Sequence, residues 1–214
     1  MSRLRQRIAI MVLAAGLSRR MGEQNKLLLK LPEGKTILRA TLEQAVLANA
    51  GPVILVTGHQ HEAVAREAEG LPVQSVFAPN YTEGLAASLR AGVAAVPVDC
   101  MGALVCLGDM PFTPAAMLRT LCTAFAPEMG QDIIQPVFEA RPGNPVLWGR
   151  RHFAAISALS GDRGARSLLA KNLEALRRVE VETASVLEDI DTREEYEWYF
   201  ERGKTGKLPV FKGA

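Results

Sequence analysis

The sequence is poor in the residues that build disulfide scaffolds and metal clusters. It has three cysteines and three histidines among 214 residues, and Cys100, Cys106 and Cys122 lack the spacing of a zinc site. Cys106 lies in an apolar run, where a buried core residue is the more ordinary interpretation than a nucleophile. A sparse and odd cysteine count is typical of a reducing compartment, so we expect a cytoplasmic protein.

Long hydrophobic runs and a strong excess of one charge are absent as well. No apolar run is long enough for a transmembrane helix, and a net charge of +2 argues against a dedicated nucleic-acid binder. Hydrophobic residues still make up 48% of the chain, enough for a substantial core. We therefore expect one α/β domain over residues 1–203 and a C-terminal tail over 204–214, with neither a membrane nor nucleic acid as partner.

Two common nucleotide-binding motifs are missing too. The sequence contains neither the Gly-Lys-Ser/Thr end of a P-loop nor the G-x-G-x-x-G fingerprint. What it has instead is an apolar, β-branched run over Ile8–Val12, which predicts a buried strand, followed by small residues and then by Arg20 and Lys26. Small residues let the backbone approach a ligand, and turn amides can hold phosphate. This stretch predicts a nucleoside triphosphate site at the end of the first strand.

A secretory signal peptide is the alternative interpretation of the same stretch. Arg3, Arg5 and Arg7 would form its basic region and residues 8–17 its apolar core. The two arginines that follow at once, Arg19 and Arg20, argue against it.

Strands alternate with helical patterns through the first two thirds of the chain. This order predicts a mostly parallel sheet with helices on both faces, whose ligands lie beyond the carboxyl ends of the strands. Asp109 follows the apolar strand 103–107 in Gly108-Asp109-Met110-Pro111, a position that suits a ligand of Mg²⁺. The alternative is a turn residue ahead of a helix that Thr113 caps and Pro114 begins.

A second carboxylate for such a site comes from Asp189-Ile190-Asp191-Thr192. We predict a strand near residues 187–190, in which Asp189 and Asp191 point to the same face, and favour Asp191 as the metal ligand. The alternative is that this segment serves only to let Thr192 cap the last helix.

A basic pair follows Gly161-Asp162. Arg163 and Arg166 are three residues apart, so on a helix they share a face and could bind an anionic substrate. A solvated basic face, with Asp162 as the helix cap, is the alternative.

These motifs together carry a family resemblance. Leu-Ala-Ala-Gly-x-Ser-x-Arg-Met-Gly over residues 13–22, followed by Lys26, resembles the opening of the nucleotidyltransferases that act on molybdenum cofactor, and the cytidylyltransferases more than the guanylyltransferases. The resemblance extends over most of the chain, through the following segments: 54–58, 80–89, 108–111, 143–146, 161–166 and 189–192. In one departure, the family's Asp-Thr-Pro-Glu-Asp reads Asp191-Thr192-Arg193-Glu194-Glu195 here.

The resemblance implies a Rossmann-like nucleotidyltransferase fold and the transfer of CMP from CTP to the terminal phosphate of molybdopterin-bound molybdenum, with release of pyrophosphate. It implies that Arg20, Lys26 and Asp109 are catalytic, that Asp109 and Asp191 hold Mg²⁺ or Mn²⁺, and that Arg163 and Arg166 bind the pterin substrate. The implied nucleotide-binding residues are Leu13, Ala14, Ala15, Gly16, Arg20, Lys26, Thr57, Gly84, Ser88, Gly108 and Asp109. A client enzyme of the xanthine dehydrogenase or aldehyde oxidoreductase type, or its chaperone, is the implied protein partner.

The chemistry of such a transfer fits the lack of an obvious nucleophile–base pair. An acceptor phosphomonoester, with a second pKa of about 6, is already ionised at neutral pH and needs no general base. Two other functions stay open: a nucleotidyltransferase that uses GTP or acts on another small phosphate such as a sugar phosphate, and a non-catalytic carrier of molybdenum cofactor.

Overall fold

One β-sheet forms the centre of the protein. The computed structural model describes residues 7–21, 24–161 and 165–203, and within these ranges the sheet has eight strands in the order 3-2-1-4-7-5-6, with β8 paired to β5. The strands are β1 (Ile8–Ala14), β2 (Val53–Thr57), β3 (Val73–Phe77), β4 (Gly102–Leu107), β5 (Ile133–Phe138), β6 (Arg141–Pro142), β7 (Val146–Gly149) and β8 (Leu176–Glu180).

Strands β1 to β4 are all parallel, so their carboxyl ends lie along one edge of the sheet. β7 runs antiparallel to β4 and β5, and β5 pairs in parallel with β8. The predicted mostly parallel sheet is confirmed, with two reversed strands: β7, inserted next to β4, and the two-residue β6 at the edge.

Helices cover both faces of this sheet, as predicted. They are α1 (Ile37–Ala48), α2 (His61–Arg66), α3 (Leu85–Ala95), α4 (Ala115–Thr123), α5 (Phe153–Ser157), α6 (Arg166–Lys171) and α7 (Arg193–Gly203). Helices α1, α4 and α7 contribute to the core on one face, and α3 and α5 to the core on the other. Among the described residues, no helix has the length and apolar character needed to cross a bilayer.

The central strand β1 divides the two cores. All seven of its residues are buried. Ile8, Ile10 and Val12 face the α1 and α4 side, and Ala9 and Met11 face the α3 side, as the two-residue period of a strand requires. Because every residue of β1 is fixed by packing on both faces, the turn that follows it starts from a rigid base.

The helix predicted to begin at Pro114, with Thr113 as its N-cap, starts one residue later. Pro114 precedes α4, whose first residue is Ala115, and the amide of Ala115 donates to Gln44 Oε1 at 2.9 Å. The Thr113 hydroxyl donates instead to the carbonyl of Ser185 at 3.3 Å. The predicted N-cap role of Thr113 is therefore wrong, because a tertiary contact takes its side chain and Gln44 caps the helix from outside.

The strand predicted near residues 187–190 is also absent from the described structure. A 3-10 helix covers Ala184–Leu187, and the chain after it follows no neighbouring strand. Within this 3-10 helix, the Val186 carbonyl accepts the amide of Asn144 at 2.8 Å. A Cβ at Gly143 would lie 2.4 Å from the same carbonyl oxygen. The backbone groups of this segment find their partners in loops rather than in the sheet.

Candidate active site

The chain turns away from β1 directly above the parallel strand ends. The Ala15 carbonyl accepts the amide of His59 at 3.4 Å, which ties the turn to the loop after β2. Gly16 is exposed, and Ser18 has a φ of +49°, so the backbone reverses there before the 3-10 helix Arg19–Met21. This turn forms one wall of a cleft.

The cleft has a volume of about 520 Å³. It lies across the ends of β1 and β4, and it extends to the segment that leads from β3 into α3. Its walls are lined by Leu13, Ala14, Ala15, Gly16, Leu17, Ser18, Arg20, Lys26, Leu27, Tyr81, Thr82, Gly84, Leu85, Ser88, Leu107, Asp109 and Asp191.

Most of the residues singled out in the sequence lie in this cleft. The four residues 13–16, together with Arg20, Lys26, Gly84, Ser88, Asp109 and Asp191, are all among its lining. Gly84, the N-cap of α3, and Ser88 in its first turn therefore meet the β1 turn, although they lie about seventy residues further along the chain.

Three of the singled-out residues that the structure describes lie outside the cleft lining. Thr57 is buried at the end of β2, where its hydroxyl donates to the Val76 carbonyl at 3.3 Å, outside the lining that the described residues form. Gly108 is buried beneath the cleft, and Arg166 is an exposed residue of α6 outside the lining. Arg163 falls outside the described residues.

Sequence reasoning missed seven lining residues: Leu17, Ser18, Leu27, Tyr81, Thr82, Leu85 and Leu107. A signal for Tyr81 was available, since it belongs to the Asn80-Tyr81-x-x-Gly84 motif. Its position is fixed by close packing, because a Cβ at Gly58 would come within 2.7 Å of both Ala15 Cβ and Tyr81 Cβ. Only glycine at position 58 lets the aromatic ring and the β1 turn approach each other so closely.

The position of Asp109 follows from how β4 ends. Beyond the last paired residue, the Gly108 amide donates to the Leu13 carbonyl at 2.9 Å, so the chain stays attached to β1. A Cβ at position 108 would lie 3.0 Å from that carbonyl oxygen. The Gly108 carbonyl in turn accepts the hydroxyl of Thr41 at 3.1 Å. These backbone contacts fix Asp109 at the rim of the sheet without using its side chain.

Asp191 reaches the same place through a different set of contacts. The Ile190 amide donates to the Asp109 carbonyl at 3.0 Å, which binds the two segments directly. Glu195 Oε2 accepts the amides of Asp191 and Thr192, each at 2.8 Å, and Thr192 Oγ1 accepts the amide of Glu195 at 3.2 Å. This is a reciprocal capping box at the start of α7. Thr192 therefore caps the helix and the same turn presents Asp191 to the cleft, without the family's proline.

Lys26 stands between the two carboxylates. Its Nζ donates to Asp109 Oδ2 and to Asp191 Oδ1. Burial by itself lowers the pKa of Lys26, but the charge and hydrogen bond of Asp109, with those of Asp191, raise the pKa above its usual value. Arg20 contacts the other oxygen of Asp191 from a side chain that is 72% exposed. Both predicted cations thus meet the predicted carboxylates.

The backbone of Lys26 is held by two polar side chains. Asn25 Oδ1 accepts the amide of Leu27 at 3.1 Å and caps the 3-10 helix Lys26–Leu28. Ser18 Oγ accepts the amide of Lys26 at 3.3 Å and lies 3.4 Å from Asn25 Oδ1. The end of the β1 turn and the start of the lysine segment are therefore connected to each other.

Three carboxylates form a group that could hold a divalent cation. Oxygens of Asp109, Asp189 and Asp191 all lie within 4.8 Å of one another, so the structure brings both sequence candidates to Asp109. Burial, and then the charges of Asp109 and Asp191, raise the pKa of Asp189 to about 6. Within the described ranges, the buried Oδ1 of Asp109 has no hydrogen-bond partner. Hard oxygen donors, one of them buried and unpaired, fit a cation such as Mg²⁺ or Mn²⁺.

Residues 10–179, which include the β1 turn, Lys26 and Asp109, match the model of the MobA-like NTP transferase domain. The chain belongs to this family. It is therefore a nucleotidyltransferase with a Rossmann-like fold, as the resemblance implied.

Three individual relatives span nearly the whole chain. The molybdenum cofactor cytidylyltransferase of Escherichia coli K12 is 30% identical over 190 residues, which are 88% of this chain and 93% of that protein. A nucleotidyl transferase structure from Methanothermobacter has a TM-score of 0.79 at 26% identity and covers 94% of this chain and 99% of that one. A Mycobacterium tuberculosis H37Rv protein, solved as a manganese complex, has a TM-score of 0.74 at 29% identity, with coverages of 92% and 98%.

Proposed function

We propose that this nucleotidyltransferase transfers CMP from CTP to molybdenum cofactor and releases pyrophosphate. The observation that carries the proposal is the composition of the cleft, in which a small-residue turn faces Lys26, Arg20 and the carboxylate group. Two observations support the identity of the nucleotide and the acceptor. They are the similarity to the Escherichia coli cytidylyltransferase and the Leu13-Ala14-Ala15-Gly16 turn of this chain.

The order of the strands gives the cleft two sides, with β1 between them. Gly84 and Ser88, at the start of α3, lie on the side of β2 and β3, and Asp109 lies on the side of β4. We assign the base and ribose to the first side and the phosphates to the second, with the residue 13–16 turn between them. Charged phosphates then meet Lys26 and Arg20, and the uncharged base meets the apolar and small residues.

The reaction needs alignment and charge neutralisation rather than a general base. A phosphate oxygen of the acceptor forms a bond to the α-phosphorus of CTP, and the bond from that phosphorus to the bridging oxygen breaks, so that the electron pair leaves on pyrophosphate. The acceptor phosphate has a second pKa of about 6 and attacks in its ionised form. Lys26 and Arg20 neutralise the charge that develops on the phosphates, and the backbone amides of the β1 turn orient them.

Asp109, with Asp191 and Asp189 beside it, would hold the Mg²⁺ or Mn²⁺ of this reaction. When bound, such a cation neutralises phosphate charge and favours departure of pyrophosphate. The unpaired Asp109 Oδ1 is the atom that fits this role best.

The choice of base gives a first test. Ala15 and Tyr81 both line the cleft, and Ala15 is 4% exposed, with its methyl group close to the backbone of Gly58. The related guanylyltransferases have a glycine here, which leaves room for the wider purine. A single methyl group contributes about 10- to 200-fold in selectivity. We expect kcat/KM for CTP to exceed that for GTP by at least about 10-fold, and Ala15→Gly to narrow the gap without reversing it.

The measurement is the initial rate of pyrophosphate release with each nucleotide at matched acceptor concentration. Ala9→Gly, which removes a methyl group from the strand before the turn and outside the cleft lining, is the control and should keep the wild-type preference. Equal use of GTP and CTP by the wild-type protein would contradict the cytidylyl assignment while leaving the nucleotidyltransferase assignment intact.

The acceptor is proposed to contact Arg166. Gly161, which precedes α6 in the chain, lies beside the cleft, since its carbonyl accepts the amide of Ala86 at 3.2 Å in the first turn of α3. We expect Arg166→Ala to raise the KM for molybdenum cofactor about 3- to 5-fold, as for an exposed charge pair, and to leave CTP binding unchanged. Steady-state kinetics with one substrate varied at a time would show this.

Lys171→Ala is the matched control, because Lys171 is an exposed basic residue at the other end of α6. It should change neither KM. Weaker CTP binding by the Arg166 variant, with an unchanged KM for the acceptor, would show that the arginine acts on the nucleotide instead.

A further inference from the structure

In this structure the positive charge that pairs with the three-carboxylate cluster of Asp109, Asp189 and Asp191 is the ammonium of Lys26. Lys26 Nζ contacts one oxygen of Asp109 and one oxygen of Asp191 at once, and the Lys26 and Asp109 side chains are only 13% and 14% exposed. These are the same two carboxylates that would hold a divalent cation. The described part of the protein therefore neutralises its metal site with its own lysine.

An ammonium group and a divalent cation compete for these carboxylates, because their positive charges repel each other. With Lys26 in place, Asp109 Oδ2 and Asp191 Oδ1 are occupied as hydrogen-bond acceptors, and only Asp109 Oδ1 and the Asp189 carboxylate offer oxygens nearby. A divalent cation prefers several anionic oxygens and is repelled by a positive charge a few ångströms away. Full coordination by the carboxylate group thus requires Lys26 to leave it.

The phosphates of a nucleotide offer Lys26 another partner. Lys26 and Asp109 both line the cleft, so an anion bound there lies within reach of the flexible lysine side chain. Arg20 is not equivalent, because its guanidinium touches only Asp191 and its side chain is 72% exposed, where solvent screens the pair.

We propose that Lys26 is the resident counter-ion of the carboxylate group in the nucleotide-free protein, and that divalent cation and nucleotide bind cooperatively because the phosphates draw Lys26 away. The identity of the nucleotide rests on the proposed function, but the competition between Lys26 and the cation does not. Coupling of this kind is reciprocal: bound phosphates strengthen cation binding, and a bound cation strengthens phosphate binding by the same factor.

The test is a titration of Mn²⁺ binding in the absence of any nucleotide, in which the electron paramagnetic resonance signal reports the concentration of free Mn²⁺. Lys26→Met keeps the length of the side chain and removes its charge, so it should bind Mn²⁺ about 10-fold more tightly than the wild-type protein, the lower end expected for loss of a charged hydrogen bond. Lys26→Arg, which restores the charge, should bind like the wild type. Arg20→Met should tighten binding less than about 3-fold.

Unchanged or weaker Mn²⁺ binding by a folded Lys26→Met protein would overturn the proposal. Equal tightening in the Lys26→Met and Arg20→Met variants would also overturn it, because the effect would then be one of net charge. Both outcomes are independent of turnover. Conversely, absence of pyrophosphate release from the wild-type protein would remove the proposed function and leave the Mn²⁺ result standing.

A measurement on the wild-type protein does not depend on whether the variants fold. Reductive methylation followed by mass spectrometry reports how freely each lysine reacts, with the exposed Lys30 as the internal reference. Saturating Mn²⁺ should raise the rate at Lys26 relative to Lys30 about 3-fold or more, because the ammonium loses two carboxylate partners. A ratio that Mn²⁺ leaves unchanged would show that cation and lysine do not compete.

Discussion

Asp109→Ala is expected to lower kcat by about 100-fold or more, because a bound divalent cation supplies several kcal/mol of charge stabilisation. The fold should persist, since the contacts of Gly108 with Leu13 and Thr41 use the backbone and leave the Asp109 side chain free to change. Turnover and thermal unfolding of the variant are the two measurements.

Asp99→Ala provides a control for loss of an acidic side chain. Asp99 pairs with Arg7 and is 52% exposed, away from the residues that line the cleft. It should retain wild-type turnover. Near-normal activity in a folded Asp109→Ala protein would refute the role of Asp109 in catalysis.

Lys26→Ala is expected to weaken CTP binding and to slow the chemical step, with a combined loss of about 10- to 100-fold in kcat/KM. This is the range for a hydrogen bond from a charged donor. The physical reason is that, in the proposed mechanism, the lysine leaves the carboxylates and then contacts the phosphates during the reaction. Isothermal titration with CTP and single-turnover rates would separate the two effects.

Lys30→Ala, in the same segment but exposed and outside the cleft lining, should leave both quantities unchanged. If CTP affinity and rate both persist in Lys26→Ala, the lysine serves only to neutralise the carboxylates. The Mn²⁺ experiment above then decides whether that neutralisation affects the metal.

Features that depend on local pattern could be predicted from the sequence. The apolar run of β1, the alternation of strands and helices, and a carboxylate directly after β4 all follow from residues that are neighbours in the chain. A parallel sheet brings the ends of its strands together, so the meeting of the β1 turn and Asp109 could be predicted as well.

Features that depend on contacts between distant segments could not. The sequence predicts a strand near residues 187–190, yet Asp191 reaches Asp109 through the hydrogen bond of Ile190 and the capping box of Glu195. The Lys26–Asp191 pair joins residues 165 positions apart, and no local pattern indicates which carboxylate a lysine will choose. Thr57 is a motif position at a strand end, yet its hydroxyl donates within the sheet and the residue lies outside the described cleft lining, which no local pattern indicates.

The most direct test of the proposed function is pyrophosphate release when the purified protein is incubated with molybdenum cofactor and each of the four nucleoside triphosphates in turn. The same reactions with sugar phosphates in place of the cofactor separate the acceptors, and mass spectrometry of the products identifies any dinucleotide. We expect pyrophosphate and the cytosine dinucleotide with CTP and molybdenum cofactor together. Release with a sugar phosphate but not with the cofactor, or binding of the cofactor with no pyrophosphate from any nucleotide, would contradict the assignment.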